Sequence, residues 1–207
     1  MPDTASQRPA GARRRRADQQ RDRILSAAQT CFAERGFHAA SMASIAETAG
    51  MSPGLIYRYF ESKSQIIQGI VRRQNELLLE QFEAWRDQPV DMAENIFQGY
   101  YQCAGTDDDS RLSPALLLEI WAEASRDPNI AEATAELDRA VDAAIARWLT
   151  MPRAQGGAGL DAERIPGRVL MLRCVFEGLK TRQARQPELD PDLLRAALED
   201  GFARLLE

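Results

Sequence analysis

Residues 41–63, SMASIAETAGMSPGLIYRYFESK, decide the fold, and they read as two short helices around a tight turn at Gly50. Ser41 can accept a backbone N–H at the start of a helix whose apolar positions Met42, Ile45, Ala46 and Ala49 recur at three and four residues. Gly50 supplies the left-handed conformation that ends it. Ser52 followed by Pro53 starts the next helix, because serine caps free N–H groups and proline at the first helical position has none to leave unpaired. That second helix, residues 53–59, makes about two turns, roughly 10 Å at 1.5 Å per residue, too short to stand alone. Leu55 or Ile56 together with Phe60 must pack it onto its neighbours, which leaves Ser52, Pro53, Gly54, Tyr57, Arg58 and Tyr59 for the outer face. Ser62 with Gln65 reads as a capping box, so a third helix begins at once, with Lys63 in its first turn beside the place a phosphate would lie. Glycine, serine, tyrosine and arginine next to an anion site are the chemistry of contact with double-stranded DNA.

The charge distribution points the same way. Residues 1–73 hold 12 Lys and Arg against 6 Asp and Glu, net +6, and the rest holds 14 against 25, net −11. Screening over roughly 8 to 10 Å at physiological salt lets the basic near face dominate its contacts with phosphate, although the whole chain is −5. Arg13, Arg14, Arg15 and Arg16 are the densest positive run. Residues 1–17 are polar, carry two prolines and lack an apolar period, so they read as a disordered basic arm. Two roles stand for it, a DNA contact along phosphates or in the minor groove and a solubilising tail.

The stretch ILSAAQTCFAERGFHAASMASIAETAGMSPGLIYRYFESKSQII resembles the DNA-binding domain of the TetR family of bacterial transcriptional regulators over residues 23–71. The resemblance rests on an apolar first helix ending in ERGF, then IA-x-x-AG, then S-x-G-x-x-Y-x-x-F-x-x-K. Pro53 stands where a lysine or other polar residue is common in the family, and Leu55 where a small polar one is. The resemblance implies an all-α protein: a three-helix helix-turn-helix domain over residues 18–78 and a ligand-binding and dimerisation domain over residues 79–207, about nine or ten helices in all. LLLEIWAEASRDPNIAEA resembles the subgroup that includes the choline-to-betaine repressor. By that resemblance the chain is a homodimeric repressor, held on a palindromic operator and released by a small-molecule inducer. A DNA-binding protein of the same fold without small-molecule control is the alternative.

In the body, three helices open on a capping residue followed by proline, Ser113-Pro114, Asp127-Pro128 and Asp190-Pro191. The Gly-rich stretch 156–159 reads as a mobile surface loop. Residues 128–149 and 169–179 are the expected four-helix dimer interface, with Val141, Ile145, Trp148, Leu172 and Phe176 in it; the same side chains also fit a monomer core. Arg173 and Glu177, four apart in an apolar run, are expected to pair with each other or across a dimer. Leu78, Phe82, Ile96, Tyr100, Leu117, Ile120 and Trp121 are the candidate pocket, although an apolar stripe at helical spacing also describes plain core. With Glu119 and Glu123 nearby, the pocket would suit an apolar or cationic inducer.

No nucleophile with a base, no phosphate-cradling glycine loop and no metal spacing appears, so neither an enzyme nor a cofactor is expected. Cys31, Cys103 and Cys174 stand singly inside helical patterns. An odd count with no leader or membrane-spanning run points to the bacterial cytoplasm and to no membrane partner.

Overall fold

A computed structural model describes residues 10–84, 91–102 and 112–207, and among these the chain is helical with no strand. The helices are α1 (Ala10–Arg35), α2 (Met42–Thr48), α3 (Pro53–Tyr57), α4 (Lys63–Ala84), α5 (Met92–Gln102), α6 (Pro114–Ala124), α7 (Pro128–Thr150), α8 (Ile165–Arg185) and α9 (Pro191–Leu205), with 3-10 turns at Arg153–Gln155 and Ala162–Arg164. The chain divides into two compact units, Met1–Ile70 and Val71–Glu207, so the break falls inside α4 and ahead of the 78/79 boundary read from sequence. Among the described residues no helix is long and apolar enough to cross a membrane.

The first unit is built on α1. Ile24, Ala28, Cys31 and Phe32 are fully or almost fully buried, together with Ile45, Ala46, Ile56, Ile66, Ile67 and Ile70 from the three following helices and Phe60 from the turn between α3 and α4. Gly69 permits this closeness: a Cβ there would lie 2.9 Å from Leu25 Cδ2 and 3.1 Å from Phe60 Cε1. The α1 helix reaches back to Ala10, so Arg14, Arg15 and Arg16 are exposed residues of a helix where the sequence reading has a disordered arm. Alanine and arginine are strong helix formers, and extending an existing helix needs no apolar period of its own. Arg13 has helical backbone, but its side chain lies outside the described residues, as do Trp85 and Cys103.

In the second unit, Phe97 and Tyr100 of α5, Leu149 of α7, Ile165 and Leu172 of α8, and Leu194, Leu198 and Phe202 of α9 form one core. All three proline-led helices are capped as expected: Ser113 accepts from Leu116 N at 3.2 Å, Asp127 from Asn129 N at 2.9 Å and Asp190 from Asp192 N at 3.0 Å. The glycine loop departs from expectation, because it folds back on the end of α7. Ala158 N donates to Trp148 O at 3.1 Å, Gly159 N to Met151 O at 2.8 Å and Leu160 N to Leu149 O at 2.9 Å. Left-handed Gly156 and Gly159, with φ of 87° and 65°, make the reversal possible. Gly157 has no room for a side chain, since a Cβ would sit 2.2 Å from Met151 O.

Candidate nucleic-acid interface

The interface starts at the α2 cap. Ser41 Oγ accepts from Ser44 N at 3.0 Å, and Ser44 Oγ accepts from Ser41 N at 2.9 Å, a reciprocal box that satisfies two orphan donors. The helix ends in a Schellman motif, with Gly50 N on Glu47 O and Met51 N on Ala46 O, each at 2.9 Å, and Gly50 at φ 60°. Ser52 sets the next start through its carbonyl, which accepts from Leu55 N at 2.9 Å; its side chain makes no capping bond. The resulting α3 ends at Tyr57, two residues short of the length read from sequence.

Ile56 and Phe60 anchor that helix, with 0% and 4% exposure. Ser52, Pro53, Gly54, Tyr57 and Arg58 are exposed, and Tyr57 reaches 53% exposure although it is a large aromatic residue. Tyr59 is half-buried, and its carbonyl accepts from Arg21 Nη2 at 3.3 Å, while the Arg21 guanidinium lies 5.1 Å from the Phe60 ring centroid. Gly54 faces open space, with nothing within 4 Å of the place a Cβ would take. Such a face can take a phosphate backbone closely at Gly54 and place one ring and one guanidinium against base edges.

Gln65 Oε1 accepts from Glu61 N at 2.9 Å and Ser62 Oγ from Gln65 N at 3.2 Å, so the expected box forms with its return bond one residue earlier. Lys63 opens α4, and its ammonium has partners that the sequence reading did not contain. Its ammonium donates to Phe37 O and Ala40 O, each at 2.8 Å, and is half-buried over the Phe37 ring. Sequence reasoning missed this because the carbonyls stand more than twenty residues earlier and no local pattern marks them.

The candidate residues of the second unit are dispersed. Phe82 lines a narrow crevice with Met92, Ile145, Trp148 and Met151, whereas Tyr100, at 3% exposure, is core and donates its hydroxyl to Gln186 O at 2.9 Å. Burial raises the pKa of Tyr100 and of its neighbour Tyr101, whose hydroxyl donates to Leu189 O at 2.7 Å. Ile96 packs against the same core, Ile120 is 1% exposed within α6, and Leu78, Leu117 and Trp121 are half-buried. Glu123, read as a counter-charge, pairs with Arg126 at 2.8 Å.

The residues expected at the dimer interface stand in different surroundings. Leu172 is 4% exposed and belongs to the core, Ile145 and Trp148 pack against that core, and Val141 and Phe176 are half-buried. On α8 and α9 the large apolar side chains left outside are Leu170, Met171 and Leu193, at 64%, 50% and 61%. The run from Val169 to Phe176 is apolar on more than one side, so its pattern does not tell the inner face from the outer. Arg173 pairs with Glu177 at 3.1 Å, as expected, and also with Asp138 and with Asp142 at 3.4 Å on α7.

Two short helices joined through the Gly50 turn, with the second exposed, form a helix-turn-helix arrangement. Residues 24–70 match the family of bacterial regulatory proteins of the tetR type, and residues 102–207, half of the chain, match the C-terminal domain of BetI-type transcriptional repressors. The chain therefore belongs to the TetR family of transcriptional regulators and is not an enzyme. The transcriptional regulator UidR of Escherichia coli (strain K12) is 36% identical over 118 residues, 54% of this chain and 55% of UidR, so the match spans about half the length of that relative. GusR of Salmonella enterica superposes with a TM-score of 0.64 at 26% identity, over 88% of this chain and 94% of GusR. A regulator from Saccharomonospora viridis in complex with choline superposes with a TM-score of 0.63 at 22% identity, over 88% and 95%.

Proposed function

We propose that this regulator binds a palindromic operator as a homodimer, reads it with the exposed face of α3, and is released by a small molecule that enters the second unit. The observation that carries the reading is the face itself: Ser52, Pro53, Gly54, Tyr57 and Arg58 turned outward on a helix held by Ile56 and Phe60. Two such helices, about 34 Å apart, enter successive major grooves. Exposed Arg14, Arg15 and Arg16 on α1 add phosphate contacts that strengthen binding to any sequence. For the dimer, the exposed apolar residues Leu170, Met171 and Leu193 offer a use for the outer sides of α8 and α9. The choline bound by the Saccharomonospora viridis regulator supports a small, cationic or amphipathic inducer.

Phe82, Met92, Ile145, Trp148 and Met151 supply apolar and aromatic surface for such a molecule. Their crevice holds about 30 Å³, room for a water. An inducer must then open it, which is the differential affinity for two conformations that release from DNA requires. The same narrowness favours a second reading, a regulator without small-molecule control. A thermal-shift screen of quaternary ammonium compounds and acyl thioesters, followed by operator titration with each hit, separates the two. A compound that raises Tm and weakens operator binding supports induction; a screen with no stabilising compound supports the second reading.

A further inference from the structure

The surroundings of Lys63 go beyond what phosphate contact or helix initiation requires. An ammonium has three N–H bonds, and three carbonyls of one loop surround this one: Phe37 O and Ala40 O at 2.8 Å and His38 O at 3.4 Å. The Phe37 ring, 4.5 Å away by its centroid, closes another side and itself packs edge-on against Phe32 of α1 at 5.4 Å. The loop leaves α1 through left-handed Gly36, at φ 76°, and ends at Ser41, the cap of α2. The cation thus ties the first turn of α4 to the segment that sets where α2 begins. The Gly50 turn then passes that placement on to α3.

We propose that Lys63 is a positioning residue for DNA recognition, which acts on affinity by holding the 37–40 loop, and through it α2 and α3, instead of by contacting phosphate. The proposal rests on the DNA-binding function of the family. A compact ammonium suits three converging acceptors, whereas the planar fork of arginine cannot set its donors on carbonyls grouped around one point. Charge alone is therefore insufficient at this position.

The test uses the full chain and its Lys63→Arg and Lys63→Met variants. A duplex selected from a random pool by the unsubstituted protein serves as probe, titrated over a range of salt. Both variants are expected to bind about tenfold or more weakly, with the dependence of log affinity on log salt unchanged. Amide hydrogens of residues 36–41 should exchange faster in both, and in the unsubstituted protein the Lys63 ammonium should give an exchange-protected nuclear magnetic resonance signal without DNA. The proposal is overturned if Lys63→Arg binds normally while Lys63→Met lowers the salt slope by about one unit, or if the free protein shows no protected ammonium. Failure of the unsubstituted protein to enrich any duplex would strike the DNA reading itself.

Discussion

The two units are made of the same material, capped helices around aliphatic cores, and they differ in what they leave outside. The first buries Ile56 and Phe60 of its short helix pair and exposes glycine, serine, tyrosine and arginine. The second exposes Leu170, Met171 and Leu193 on α8 and α9. A polar, basic face suits a hydrated polyanion, whose phosphates it neutralises. An apolar stripe gains only by meeting another apolar surface. The contrast teaches that the outer face of a helix reports its partner, while its inner face reports only the fold.

Glycine gives the sharpest contrast. Gly157→Ala should cost more than about 3 kcal/mol, because its Cβ meets the Met151 carbonyl and the α7 turn must open. Gly54→Ala meets nothing in the protein and sits in a helix, so Tm should hold or rise slightly while DNA affinity falls. Thermal unfolding of both variants checks the pair, and equal destabilisation would break the contrast. Next in size, Leu170→Asp should weaken self-association by about 2 kcal/mol or more, read by sedimentation equilibrium, with an unchanged circular dichroism spectrum. An unaltered association constant would remove the α8 stripe from the interface.

Ser41→Ala should cost about 1 kcal/mol, since the Ser44 backbone N–H loses its capping acceptor; urea unfolding measures it. The smallest effect concerns Glu94. Hydrogen bonds from Gln98 and Arg195 hold its carboxyl below its ordinary pKa, so its contribution is present above the unfolded value and is lost as pH falls through the lowered folded value. Unfolding midpoints of the parent and of Glu94→Gln should differ slightly at neutral pH and converge in acid. A gap that widens in acid would contradict the assignment.

Local signals were legible in the sequence. Ser41, Gly50 and the three residue pairs that end in Pro114, Pro128 and Pro191 mark helix ends through bonds to atoms within a few residues, and the structure has each of those ends. Most of the outward set around α3 was legible too, with half-buried Tyr59 the exception, because a short helix held by Ile56 and Phe60 leaves few choices. What escaped depends on distant partners. Lys63 finds its carbonyls at Phe37 and Ala40, and Tyr100 finds the Gln186 carbonyl far along the chain. The glycine stretch that reads as mobile is compact because Trp148, Leu149 and Met151 supply its acceptors. The inner and outer sides of α8 differ only by which apolar residue meets α5, α6 and α7, and no pattern within α8 records that.

On the proposed function, sequence discrimination resides in Tyr57 and Arg58 on the outer face of α3. It is tested most directly by the ratio of affinities for a selected duplex and for mixed-sequence DNA, measured for the full chain and for the Tyr57→Ala, Arg58→Ala double variant. Loss of base contacts worth about 1 to 3 kcal/mol each should bring the ratio down by one to several orders of magnitude, with helicity and Tm unchanged. An unchanged ratio in a folded double variant would contradict the account.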